Sequence, residues 1–83
     1  MTIEETVALA EARVRVARGD LAAIRHRAGL SQEAIGRAVG ATRTTVCRWE
    51  QLERVPSGAP AIRLARLLRE LEQVAPATQR GGA

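Results

Sequence analysis

The chain has 83 residues and a formal net charge of +4, and all 13 of its basic residues are arginines. A single cysteine excludes an internal disulfide, and no apolar run approaches the ~20 residues of a membrane span, so we predict a cytoplasmic protein without a membrane partner. The hydrophobic residues are mostly alanine and branched aliphatics, with neither phenylalanine nor tyrosine, which favours an all-α fold. A small basic domain suits a polyanion partner, although GC-rich codon usage also explains an excess of arginine.

The first two predicted helices are separated by Gly19. Thr2 and Glu5 have the spacing of a capping box, which predicts that the first helix begins at Ile3. Apolar residues then recur at helical spacing as one stripe, made of Ile3, Val7, Ala10, Val14 and Ala17. Asp20 is predicted to cap the second helix, although the two pieces could also form one kinked helix.

Two short helices and a longer one complete the predicted domain, which spans residues 1–75 and contains about five helices. Ser31 and Thr42 are placed to cap the two short helices, and Gly40 lies in the turn between them. The last helix carries more apolar surface than one core-facing side needs, on Leu64, Leu67, Leu71 and Val74. The remaining residues, 76–83, are predicted to form a flexible tail.

The two short helices and their glycine-containing turn have the plan of a helix-turn-helix, whose second helix enters the DNA major groove. Projection at ~100° per residue places Val46 and Trp49 on one side of that second helix, which predicts that this side is buried. The opposite side carries Arg43, Thr44, Cys47 and Arg48, with Thr42 beside them at the helix start. Arginine pairs with guanine and threonine can contact a base, so this face suits base edges, although an ordinary solvated face explains two arginines equally well.

The segment AIRHRAGLSQEAIGRAVGATRTTVCRWE resembles the lambdoid-repressor and Cro-like helix-turn-helix family, also called the XRE family. The matching positions are Ile24-Arg25, Gly29-Leu30-Ser31-Gln32, Gly36, Gly40, Trp49-Glu50 and Arg54-Val55-Pro56. The resemblance covers residues 20–73 and leaves the N-terminal helix, residues 3–18, outside it. It implies a compact helical bundle that binds double-stranded DNA through the major groove.

The resemblance also implies roles for single positions. Ser31 and Gln32 correspond to a phosphate-contacting pair, and backbone N–H groups at a helix N-terminus favour anions in any protein. The outward arginines and Thr44 of the second short helix correspond to base-reading positions. Arg25 and Glu50 correspond to a buried ion pair between the second helix and the base-reading helix, the alternative being that Arg25 is a surface side chain.

Two positions depart from the family pattern. Gly36 stands where the family usually has alanine, which lowers helix propensity by ~1 kcal/mol but still allows close packing. Leu52 stands where the family usually has a helix-ending glycine. The course of residues 53–56, and with it the phosphate contact implied for Arg54, therefore stays open.

The sequence contains no catalytic motif, phosphate-binding loop or metal-ligand spacing, so we predict neither an enzyme nor a metal or other cofactor. Cys47 has no partner at metal-binding spacing and suits a small neutral position on the DNA-facing side. The leading interpretation is a sequence-specific transcriptional regulator, a small prokaryotic or phage repressor. Two alternatives stay open: an antitoxin that holds a small protein partner while it binds DNA, and an architectural or recombination-directionality protein.

Two apolar surfaces are candidates for a twofold interface: the stripe on the first helix and the leucine-rich side of the last helix. Dimers of helix-turn-helix proteins bind half-sites about one DNA turn apart, and a twofold operator matches a twofold protein. We therefore predict a homodimer. The N-terminal helix could instead cap the core of a monomer.

Overall fold

The computed structural model describes residues 1–74, which contain five α-helices and no strand. The helices are α1 (Ile3–Ala17), α2 (Asp20–Ala28), α3 (Gln32–Val39), α4 (Arg43–Glu50) and α5 (Gly58–Glu72). This confirms the predicted all-α fold, while the tail predicted for residues 76–83 lies outside the described residues. Among the helices described here, none is long and apolar enough to cross a membrane.

Three helices begin with the side-chain caps that the sequence predicts. At the start of α1, the Glu5 N–H donates to the Thr2 hydroxyl at 3.0 Å and the Thr2 N–H donates to the Glu5 carboxylate at 2.9 Å. The Ser31 and Thr42 hydroxyls each accept an N–H from the residue three positions later, at 3.0 and 3.1 Å. These bonds satisfy N–H groups that have no partner inside the helix, so α1, α3 and α4 start where local chemistry favours it.

The junction between α1 and α2 differs from the prediction. Gly19 is the N-cap of α2, in the left-handed region at φ 85°, and Asp20 is the first residue of the helix. The Asp20 carboxylate accepts a hydrogen bond from Arg15 Nε at 3.1 Å and lies 3.7 Å from an Arg18 nitrogen. The prediction that Asp20 caps α2 is therefore wrong, because Gly19 makes the turn and the aspartate binds arginines of α1. The same turn makes α1 and α2 separate helices.

The main core lies among all five helices around the indole of Trp49. The buried side chains are Val16, Leu21, Ile24, Ile35, Val39, Val46, Trp49, Leu64 and Leu68. Val46 is fully buried and Trp49 is 2% exposed, which confirms the side of α4 predicted to face inward. With no other aromatic side chain in the sequence, branched aliphatics fill the space around a single large ring.

The leucine-rich side of α5 belongs to this core. Leu64 and Leu68 are fully buried, and Leu67 and Leu71 are partly buried against the same cluster. Only Val74, beyond the end of the helix, is largely exposed. The prediction of a spare apolar surface on α5 is therefore wrong. The physical reason is that α1, α2 and α3 all pack on α5, so this central helix needs apolar residues around most of its circumference.

The apolar stripe on α1, in contrast, is exposed. α1 packs on α5 through a second cluster of small residues, formed by Ala8, Ala12, Ala61, Ile62 and Ala65. The α1 stripe (Ile3, Val7, Ala10, Val14 and Ala17) faces solvent, and Ile3 is 81% exposed while Val7 and Val14 are each 54% exposed. α1 thus packs on α5 through Ala8 and Ala12 and leaves Ile3, Val7 and Val14 uncovered.

Candidate nucleic-acid interface

The turn between α3 and α4 is tight because of Gly36. The N–H groups of Gly40 and Ala41 both donate to the Gly36 carbonyl oxygen, at 2.8 and 2.9 Å. A Cβ atom on Gly36 would lie 2.6 Å from the Ala41 carbonyl oxygen, closer than real Cβ contacts allow. Gly40 ends α3 at φ 79°, in the left-handed region that glycine adopts without strain. These two glycines set the angle between α3 and α4.

α4 is seated on the core by one side and exposes the other. Because Val46 and Trp49 are buried, the side chains of Arg43, Thr44 and Arg48 are exposed and Cys47 is half-buried. Neither Arg43 nor Arg48 forms an ion pair with another residue in the described range 1–74. Both guanidinium groups are therefore available to an external acceptor.

A shallow open depression joins this outward face of α4 to the N-terminus of α3. Its lining consists of Gln32, Arg43, Thr44, Cys47, Arg48, Gln51 and Glu53. Five of the residues selected from the sequence thus share one surface. Gln51 and Glu53 were missed, although Gln51 follows Arg48 by three positions and so extends the same helical face by one turn.

Arg25 and Glu50 form a bidentate ion pair at the end of α4 that points toward α2. Arg25 Nε donates to Glu50 Oε2 at 2.6 Å, and a terminal nitrogen of Arg25 donates to Glu50 Oε1 at 3.0 Å. The two side chains are 12% and 9% exposed. The other terminal nitrogen of Arg25 donates to the Leu30 carbonyl oxygen at 3.1 Å, so one guanidinium links α2, the loop before α3, and α4.

Gln32 belongs to the same network. Its side-chain Nε2 donates to Glu50 Oε1 at 3.0 Å, which fixes the orientation of its amide at the edge of the depression. Burial raises the pKa of Glu50, but the hydrogen bonds from Arg25 and Gln32 outweigh burial and place its pKa below the ordinary value. The carboxylate therefore stays ionised at neutral pH and continues to hold both donors.

Three other residues selected from the sequence lie outside this depression. Ser31 is exposed and caps α3, next in sequence to Gln32. Thr42 caps α4, and its hydroxyl also donates to the Thr45 hydroxyl at 3.1 Å. Thr42 and the exposed Arg54 border a second shallow depression beside the first turn of α4. Residues selected for DNA contact therefore lie on two neighbouring surfaces around α4.

α4 ends at Glu50 although leucine replaces the expected glycine. Leu52 itself adopts the left-handed conformation, at φ 61°, with a side chain that is 62% exposed. The Glu53 N–H then donates to the Arg48 carbonyl oxygen at 2.9 Å, as in a helix that ends with glycine. The left-handed conformation costs ~1–2 kcal/mol for a residue with a Cβ atom, so this turn is strained.

The loop that follows is held by α1. Arg13 Nε donates to the Pro56 carbonyl oxygen at 2.9 Å, and Pro56 is buried. This contact anchors the loop of residues 53–56, whose course the sequence left open, and Arg54 within it is exposed. The N-terminal helix thus supports the segment that connects α4 to α5.

A family profile described as a helix-turn-helix domain matches residues 17–76 of the chain. The chain belongs to this helix-turn-helix family. The match confirms the family predicted from the sequence and is consistent with the XRE-like resemblance. It begins at the last residue of α1, so this helix lies almost wholly outside the family core.

No curated protein and no solved structure matches the chain. Membership of the helix-turn-helix family supports a DNA-binding regulator in general terms. Within residues 1–74, no group of three or more His, Cys, Asp or Glu side chains is arranged to hold a metal ion.

Proposed function

We propose that this protein is a sequence-specific repressor of transcription that inserts α4 into the major groove of double-stranded DNA. The observation that carries the proposal is the seating of α4. With Val46 and Trp49 buried, the helix cannot rotate, and Arg43, Thr44 and Arg48 project together from its outer side. Two arginines and a threonine at helical spacing suit guanine and thymine edges.

The N-terminus of α3 suits the DNA backbone rather than the bases. Gln32 and Ser31 lie where the first N–H groups of α3 are free of helical partners, and such groups favour phosphate. Gln32 borders the same depression as the arginines of α4, so both could contact one DNA segment. Backbone contacts fix the register of a protein on the duplex and base contacts select the sequence, so the two groups should respond differently to substitution.

A domain bound where the polymerase binds excludes the polymerase sterically, so binding at that position in a promoter represses transcription. The first experiment selects binding sites from random duplex DNA at physiological salt. The selected site is then placed in the promoter of a reporter gene, and expression is measured with and without the protein. We expect lower reporter expression in cells that make the protein. Increased expression would contradict repression while leaving sequence-specific binding intact.

The second experiment measures binding of variants to a panel of single-base changes in the selected site. Arg43→Ala and Arg48→Ala should each lose ~1–3 kcal/mol on the best site and should relax the preference at one base pair, a guanine contact. Gln32→Ala should weaken binding by a similar factor on every site and leave the order of preference unchanged.

Arg37→Ala is the matched control, because Arg37 is an exposed arginine of α3 that pairs with Glu33 and lies outside the depression. It removes the same charge, so it reports the nonspecific part of the loss. If Arg43→Ala and Arg48→Ala behave like this control and shift no base preference, the arginines of α4 supply only charge and the proposed reading face is wrong.

A further inference from the structure

The α1 stripe is an apolar helix face that no other described element covers. Ile3 is 81% exposed, and Val7 and Val14 are each 54% exposed. Along the 15 residues of α1 the stripe follows alternating steps of four and three residues, which is the spacing of the a and d positions of a heptad. Helices with this spacing pack side by side, so the stripe fits another helix.

We propose that α1 is the interface of a homodimer, in which the α1 stripes of two copies pack antiparallel about a twofold axis near Ala10. The charges of the helix favour a second copy in this orientation. Glu4 and Glu5 lie in the first turn of α1, whereas Arg15 lies in its last turn and Arg18 directly follows. An antiparallel copy places acidic ends against basic ends and opposes the two helix dipoles, whereas a parallel copy places like charges together.

One flank of the stripe makes this complementarity specific. Glu4, Glu11 and Arg18 recur every seven residues along it. In the antiparallel dimer, Glu4 of each copy meets Arg18 of the second copy. Glu4 forms no ion pair within residues 1–74, and Arg18 is 66% exposed and only loosely paired with Asp20, at 3.7 Å. Glu11, in the middle of the flank, is already neutralised by Arg69 of its own chain at 3.0 Å.

The other side of the molecule remains free in this dimer. α1 packs on α5 and α2, whereas α4 packs on α3. A twofold interface uses the same patch on both copies, so it closes with two subunits. The inference does not depend on DNA binding, because it concerns only the charges and exposure of α1.

The test is sedimentation velocity of the full chain over a range of protein concentrations, without DNA. The wild type should pass from monomer to dimer as the concentration rises. Val7→Glu and Val14→Glu should each weaken the dimer at least ~tenfold, because they place a charge in an apolar contact. The matched control is Ala38→Glu, which places the same charge on an exposed alanine of α3 and should leave the dimer unchanged. Circular dichroism verifies that each variant is folded.

Charge exchange tests the orientation. Glu4→Arg and Arg18→Glu should each weaken the dimer about two- to tenfold, and the double variant should restore it. The two positions lie ~21 Å apart along one helix, so restoration can only come from contact between copies. A double variant as weak as the single variants would overturn the antiparallel arrangement. A wild type that stays monomeric at every concentration, or a dimer that Ala38→Glu disrupts and Val7→Glu does not, would overturn the interface itself.

Discussion

The Arg25–Glu50 ion pair should contribute more to stability than any exposed ion pair of the chain. Glu50→Ala removes the acceptor of three hydrogen bonds, two from Arg25 and one from Gln32. It leaves the guanidinium of Arg25, whose side chain is 12% exposed, without its counter-charge. Removing one partner of a pair this well shielded from water costs ~3–5 kcal/mol. A domain of this size has a total stability near ~5 kcal/mol, so the variant should be close to unfolded at ambient temperature.

Glu33→Ala provides the matched control. Glu33 lies on α3, and its carboxylate is 3.6 Å from the guanidinium of Arg37. The side chain of Glu33 is 62% exposed and that of Arg37 is 79% exposed. An exposed pair at this spacing contributes only ~0.3–0.5 kcal/mol, because water screens the charges and both side chains lose conformational freedom. The same chemical change should therefore have about one tenth of the effect at this position.

The assay is urea unfolding followed by circular dichroism, applied to a double-mutant cycle of Arg25→Ala, Glu50→Ala and the combined variant. Because each single variant leaves one unpaired group, the double variant should be no less stable than either single one. A coupling free energy below ~0.5 kcal/mol would refute the reasoning, since contacts that act independently give values of that size.

The same pair should make stability depend on acid pH. The pKa of Glu50 is lowered in the folded protein, so its contribution is complete above the unfolded pKa of ~4.3 and is lost as the pH falls through the lower, folded pKa. The difference in free energy of unfolding between the wild type and Glu50→Ala should therefore shrink below pH ~4. A difference that stays constant down to pH ~2 would show that the carboxylate charge contributes nothing.

Three other substitutions test separate features of the fold. Leu52→Gly should stabilise the domain by ~1 kcal/mol in urea unfolding, because it relieves the left-handed strain of an exposed side chain, and a loss of stability would contradict this account. Gly36→Ala should lower the melting temperature although alanine is the better helix former, because its Cβ would lie 2.6 Å from the Ala41 carbonyl oxygen. Arg15→Ala should lower the free energy of unfolding by ~1.5–3 kcal/mol, because Arg15 is 13% exposed and forms ion pairs with Asp20 of α2 and Glu72 of α5. A change below ~0.5 kcal/mol would show that these ion pairs contribute no more than exposed ones.

Local chemistry explains which parts of the fold the sequence predicted. The start of α3 and the start of α4 depend on hydroxyl caps that act within three residues. The buried side of α4 follows from helical periodicity, since Val46 and Trp49 are three positions apart and are the large apolar residues of that segment. Features of this kind need no knowledge of what lies elsewhere in the chain, and the outward face of α4 follows from them.

Long-range contacts explain the failures. The more hydrophobic stripe of α1 faces solvent because Ala61 and Ala65 of α5 offer a close contact that suits Ala8 and Ala12 better than larger side chains. Periodicity alone ranks the faces of a helix by hydrophobicity and contains no information about the shape of the surface that packs against it. The prediction that Asp20 caps α2 is wrong because of a contact between helices as well. Its partner Arg15 becomes a neighbour only once Gly19 has turned the chain.

Glu50 shows how a single carboxylate connects the two groups of residues selected for DNA contact. Its Oε2 accepts from Arg25 Nε, while its Oε1 accepts from both Arg25 and Gln32. The amide nitrogen of Gln32 uses one of its two hydrogens on Glu50, and its carbonyl oxygen and second hydrogen remain available to a partner. Even if the amide turned away from Glu50 to bind a phosphate, Arg25 would still hold both carboxylate oxygens and so the end of α4. The position of the base-facing arginines is therefore independent of what Gln32 binds, which is why substitutions of Gln32 should change affinity and leave base preference intact.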